Sequence, residues 1–241
     1  MDQRLEHEIA HGKKLKEEGA ESVWNWGSPA GQKRADRRAN YFIDFAKAKP
    51  GENILEIGCG TGLFTRKFFA ATKANITAID ISQDLLDEAK QLLPEANFKL
   101  DNAMKLSFAD ESFDVVFGSS VLHHLEFDSS LKEIYRVLKK GGRMIFAEPN
   151  MLNPQIFIQK NIPFIKKWLG DSPDETAIVR WSFKHKMEGF GFNQVNVFPY
   201  DFLHPATPSF MIPLVNAIGR GVEKIPLLRE IAGSVIIYGE K

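Results

Sequence analysis

The chain has 241 residues, 44% of them hydrophobic, and its 31 Lys and Arg balance 31 Asp and Glu. Neutrality argues against a protein built mainly to grip nucleic acid, which needs a basic face. A single cysteine, Cys59, excludes a disulfide framework and a multi-cysteine zinc site.

The charge is segregated: residues 1–49 hold 10 basic against 8 acidic side chains, residues 50–150 hold 11 against 15, and residues 151–241 hold 10 against 8. Residues 1–49 suggest two helical stretches broken at Trp26-Gly27-Ser28-Pro29. The second, over about 30–48, carries Ala35, Ala39, Phe42, Ile43 and Ala46 on one stripe. From 53 to 148, short apolar runs alternate with amphipathic segments. Strands are expected at Asn53–Ile57, Asn75–Ile79, Phe98–Leu100, Phe113–Gly118 and Arg143–Glu148. Helices are expected at Thr61–Ala71, after the cap Ser82 through Leu93, and from Ser129/Ser130 to Leu138, where Gly141-Gly142 stop the last. Such alternation predicts a parallel sheet with helices on both faces. Beyond Pro149, which begins the run of nine of the 12 prolines, a helix near 173–189 and strands at Gln194–Phe198 and Ser234–Tyr238 are expected. Two apolar inserts, 151–170 and 200–231, interrupt them. The whole is expected to form one domain, in which 1–49 caps a ligand-binding core at 50–150.

The most informative stretch is Glu56-Ile57-Gly58-Cys59-Gly60-Thr61-Gly62, between a strand and a helix. Glycines there let the backbone turn sharply and approach a ligand. Asp80 closes the second strand, where an acid can accept from both ribose hydroxyls, and Asp101-Asn102-Ala103 follows the third. A pyrophosphate on the helix N-terminus would not welcome the Glu56 carboxylate. Three strand-end acids suit instead an uncharged nucleoside bearing a positive sulfonium, so a nicotinamide oxidoreductase is disfavoured.

Together with Phe113-Asp114-Val115-Val116 and Leu138-Lys139-Lys140-Gly141-Gly142-Arg143, these segments resemble the successive motifs of class I S-adenosylmethionine-dependent methyltransferases. The chain is similar to their small-molecule, type 11-like branch, which carries a Val-Leu-His-His segment after the fourth strand. The resemblance covers about residues 40–150. It implies a Rossmann-like, seven-stranded α/β sheet in the order 3-2-1-4-5-7-6 with the last strand antiparallel. It implies S-adenosyl-L-methionine as cofactor and S-adenosyl-L-homocysteine as product. Position by position, it places Glu56, Gly58, Cys59, Gly60 and Gly62 at the methionine end of the cofactor. It gives Asp80 the ribose, Ile81 the adenine face, and Asp101, Asn102 and Ala103 the adenine edge, with Ser119 beside the methionine. An arginine of the N-terminal helices, Arg37 or Arg38, would pair with the cofactor carboxylate.

Methyl transfer from a sulfonium needs alignment above all, and a base only if the acceptor must lose a proton. His123 and His124 are the candidates, since imidazole exchanges protons near neutrality. The catalytic histidine of phosphoethanolamine methyltransferases at the corresponding Leu-His site favours His123. Glu148, Asn150 and His204 are further candidates for orienting the acceptor, and His185 is expected at the surface. No metal site is expected. Every charge of the first insert is positive and both inserts are rich in apolar residues, which predicts a small, apolar or lipid-like acceptor and a peripheral membrane contact. No apolar leader opens the chain, so a cytoplasmic location is expected. The competing expectation is a cofactor-binding or scaffold protein of the same fold without activity.

Overall fold

Runs rich in β-branched and aromatic residues form the strands of a single sheet in the computed structural model, which describes residues 3–241. They are β1 (Asn53–Ile57), β2 (Asn75–Asp80), β3 (Asn97–Leu100), β4 (Phe113–Ser119), β5 (Leu138–Pro149), β6 (Asn193–Tyr200) and β7 (Ser234–Glu240). Their order is 3-2-1-4-5-7-6, with β7 antiparallel to both of its neighbours. The chain starts at the centre with β1, runs outward to β3 and returns to β4 on the other side. That reversal opens a crevice beyond the C-terminal ends of β1 and β4.

The helices are α1 (Gln3–Glu18), α2 (Ala20–Val23), α3 (Pro29–Ala46), α4 (Leu63–Thr72), α5 (Gln83–Leu92), α6 (Phe127–Val137), α7 (Pro154–Asn161), α8 (Pro163–Trp168), α9 (Arg180–Gly189) and α10 (Ile212–Val222). Alternate residues of each central strand face opposite ways. Ile54, Val115 and Phe117 meet Phe42 of α3, Phe68 of α4 and Leu86 of α5. Leu55, Val116 and Met144 meet Leu131 and Ile134 of α6 and Met187 of α9. Phe68 stacks on Phe117 with centroids 4.7 Å apart, a pair worth about 0.5–1.5 kcal/mol beyond its buried area. At the start of α3 the Ser28 hydroxyl accepts from the Gly31 N–H at 2.9 Å and Pro29 fills the first turn. Losing such a cap costs about 1 kcal/mol.

Several boundaries depart from the sequence expectation, each for a local reason. α4 starts at Leu63 because Gly62, at φ 77°, still turns the chain. α6 is capped by the Glu126 carboxylate, which accepts from the N–H groups of Asp128 and Ser129, and so begins before Ser129. Gly141-Gly142 do not stop that helix. Leu138 already pairs with Phe113, and the next four residues bulge out before Arg143 pairs with Val115. α9 begins only at Arg180; residues 171–179 run as turns and a bridge against Asn150.

Candidate active site

A cavity of about 520 Å³ fills the crevice at the C-terminal strand ends. Its floor is the loop after β1. Gly58 has φ 68°, and a Cβ there would come within 2.4 Å of the Val121 side chain; Gly60 has φ 52°, and a Cβ would meet the Trp24 ring at 2.9 Å. Only glycine allows this close approach. Asp80, at the end of β2, braces the loop: its carboxylate accepts from the Gly60 N–H at 2.8 Å and from the Ser82 N–H at 2.9 Å. Burial raises its pKa, against the pull of those N–H groups. One backbone donor per oxygen leaves acceptor capacity toward the cavity.

Cys59, Ile81, Asp101, Asn102, Ala103 and Ser119 also line the cavity. Asp101 is largely committed within its loop, accepting from the Asn102 N–H, the Ser107 N–H and the Ser107 hydroxyl. Asn102 likewise accepts from the Met104 N–H. Burial pushes the Cys59 thiol well up, so it is a packing group and not a thiolate. Two expected residues stay off the wall. Gly62 packs near Ala89 and Phe98. Glu56 is 1% exposed and turned beneath the loop, where it accepts from the Thr65 hydroxyl of α4. Burial, only partly opposed by that bond, lifts its pKa to about 8. At neutral pH it is a largely protonated strut between β1 and α4, not the cavity carboxylate expected.

The two adjacent arginines of α3, Arg37 and Arg38, part company. Arg37 is paired with Glu223. Arg38 lines the cavity, 3% exposed, and every hydrogen bond it makes goes to a hydroxyl: Tyr200, Ser119, Ser120 and Ser234, at 2.8–3.2 Å. A buried cation without an acid partner is costly, and Arg38 has none among the described residues. The glycine cradle, the Asp80 acceptor and this unneutralised guanidinium fit an adenosyl amino acid with a ribose at one end and a carboxylate at the other.

The opposite wall holds the histidines. A single turn of 3-10 helix, Leu122–His124, follows β4. Glu148 of β5, fully buried, accepts from the N–H groups of Val121 and Leu122 at 2.9 Å and of His123 at 3.4 Å. Its other contact is His123 Nδ1 at 2.7 Å. Burial alone would raise the Glu148 pKa, but His123 and the backbone donors outweigh it and lower it. Facing an ionised acceptor, Nδ1 carries the proton, which leaves the Nε2 lone pair for the cavity. Burial, with neighbouring His124, lowers the His123 pKa and keeps it neutral.

His124 differs. Burial alone would lower its pKa, but Glu8 and Glu175 raise it. Its Nδ1 stands 2.9 Å from Glu8 of α1 and 3.6 Å from Glu175, close enough for charge attraction but not aligned for a hydrogen bond. Glu175 is held near about 2, where burial is overcome by His124 and Lys160. His123, His124 and Glu175 bring donor atoms within 4.8 Å of one another. Within this group His123 Nδ1 is already engaged by Glu148, and Glu175 is paired with Lys160.

Sequence reasoning expected residues 1–49 to cap the core but named none of the α1 residues that line the cavity, Glu8, His11 and Leu15. It also missed the 170–175 segment, where the three acids Asp171, Asp174 and Glu175 were the signal. Of the inserts, the first lines the cavity through Ile156, Gln159, Lys160 and Leu169, but the second does not. Asn150 is occupied in structure, donating to the Glu230 and Ala232 carbonyls. His204 is exposed, away from the cavity, as is His185.

Residues 55–146 match the family described as a methyltransferase domain. An uncharacterized methyltransferase-like protein of Schizosaccharomyces pombe is 28% identical over 173 residues, covering 72% of this chain and 66% of that protein. The 2-methyl-6-phytyl-1,4-hydroquinone methyltransferase of Synechocystis is 31% identical over 179 residues, 71% of this chain and 56% of that enzyme. The match thus spans less than two thirds of either relative. The solved S-adenosylmethionine-dependent methyltransferase of Archaeoglobus fulgidus superposes with TM-score 0.61 at 19% identity, covering 87% of this chain and 94% of that one, a likeness of fold. Residues 55–146 thus carry the methyltransferase domain of the class I S-adenosylmethionine-dependent family, on a fold that the solved structure shares.

Proposed function

We propose that the protein transfers the S-adenosylmethionine methyl group to a small apolar acceptor carrying an acidic hydroxyl or ring position, with a hydroquinone as the model. One observation carries this reading: the glycine cradle, Asp80 and Arg38 share a single cavity with the free Nε2 of His123. When bound, the cofactor supplies an electrophilic methyl group. Asp80 is positioned to accept from the ribose hydroxyls, and Arg38 to pair with the amino-acid carboxylate. Neutral His123 takes the acceptor proton at Nε2, and Glu148 fixes its tautomer and stabilises the charge that develops. His124, whose pKa is raised by Glu8 and Glu175, pairs with Glu8 and so ties α1 to the cavity. The hydroquinone methyltransferase relative supports the acceptor class. The apolar first insert beside His123 supports it too, and peripheral contact with a membrane belongs to the same reading. No described helix is long and apolar enough to cross one.

Adenosylhomocysteine release, measured over a panel of hydroquinones, phenols and amines, tests the proposal. Turnover with an apolar hydroquinone or phenol is expected. Cofactor binding without turnover on any acceptor would instead favour a binding protein.

A further inference from the structure

The two inserts present an apolar face to solvent. Phe164 is 78% exposed, Trp168 76%, Phe210 84% and Leu227 85%. Neither α7 nor α8 buries a single residue. Solvated apolar surface gathered in this way marks an interaction site, unlike scattered exposed side chains. The inserts are joined at their base, where Asn150 donates to the Glu230 and Ala232 carbonyls and Asn153 to the Ile231 carbonyl, each at 2.8 Å.

Charge identifies the occupant. The acids of this region are drawn into ion pairs: Glu223 with Arg37, Glu230 with Arg180, and Asp171 and Glu175 with Lys160. Three exposed cations of the inserts remain, Lys167, Arg220 and Lys224, with no partner among the described residues. An apolar face studded with unpaired cations complements anionic headgroups over acyl chains. The same insert walls the cavity: Ile156 of α7 lines it while adjacent Phe157 is exposed, and Leu169, just past α8, is exposed yet lines it.

We propose that this face docks on an anionic lipid bilayer, and that the acceptor reaches His123 from the bilayer past α7 and α8. The acceptor route rests on the methyl-transfer reading; docking itself does not.

The test is co-sedimentation of the full chain with vesicles of phosphatidylcholine alone or with about a third phosphatidylglycerol. Binding to the anionic vesicles is expected to be at least about tenfold tighter and to weaken with salt. Lys167→Glu, Arg220→Glu and Lys224→Glu combined should abolish the preference. Phe164→Ser, Trp168→Ser and Leu227→Ser combined should weaken binding to both vesicles. Both variants should keep wild-type adenosylmethionine affinity, which verifies their folding. Failure to bind anionic vesicles, or equal binding to both kinds, overturns docking. So does a concentration-dependent dimer that the serine variant dissolves while vesicles stay unbound. Vesicle binding without cofactor binding would remove the methyl-transfer reading and leave docking standing; turnover on a soluble acceptor without vesicle binding would do the reverse.

Discussion

The two walls of the cavity are made differently. The cofactor wall comes mainly from the strand ends and tight turns between Ile57 and Ser120, where local backbone geometry sets each group, joined from afar by Trp24, Trp26, Arg34, Arg38 and Ser234. The acceptor wall is assembled from α1, the turn at His123, α7 and the 170–175 segment, fastened by the Glu8–His124, Lys160–Glu175 and His7–Asp174 pairs. The first wall follows from the order of strands. The second depends on separate segments that can change while the sheet stays the same, which is where the proposed reading puts acceptor choice.

The largest effect should come from Glu148. Glu148→Ala leaves three buried N–H groups and His123 Nδ1 without their acceptor. A loss of about 3–5 kcal/mol is expected in urea unfolding. Glu148→Gln should retain the fold but lower kcat about a hundredfold, with an altered pH profile, because a neutral amide no longer fixes the tautomer. A stable variant with normal kcat would remove Glu148 as a positioning residue.

Cofactor-wall changes should appear in binding. Asp80→Ala is expected to weaken adenosylmethionine about 10- to 100-fold by calorimetry, the worth of charge-assisted hydrogen bonds. Arg38→Met should cost about tenfold, with a smaller loss for adenosine, which has no carboxylate. Equal losses for both ligands would place Arg38 elsewhere.

The pH effects are smaller and differ in sign. His123 has a lowered pKa, so the neutral form persists below the ordinary imidazole value of 6.5. The acid limb of kcat/KM should therefore fall below that value; a limb above it would assign the base elsewhere. His124 has a raised pKa. Its stabilising pairing is complete below 6.5 and is lost as pH rises through the raised value. Amide exchange in α1 should quicken on that alkaline side, and His124→Ala should remove the step.

The contrast also explains what was legible in the sequence. Strand positions, the glycine turn and Asp80 depend on short-range signals, period, turn chemistry and spacing, whereas the strand order was implied by the family resemblance. Glu56 was misplaced because a strand residue's face decides its role, and its neighbour on α4, Thr65, lies inside the helix rather than in a motif. Arg37 and Arg38 are adjacent in sequence, yet the helix turns one to Glu223 and the other to the cavity. Glu148 and Asn150 both looked like strand-end acceptor ligands; their actual partners, His123 and the carbonyls before β7, come from distant parts of the chain.

The central claim is that one cavity binds the cofactor on one wall and does proton chemistry with His123 on the other. Calorimetric adenosylmethionine binding and adenosylhomocysteine release, measured on the same preparations of wild type and His123→Ala, test it most directly. The account predicts cofactor affinity within about twofold and turnover lowered at least about a hundredfold. Unchanged turnover, or loss of cofactor binding with turnover per bound enzyme intact, would contradict it.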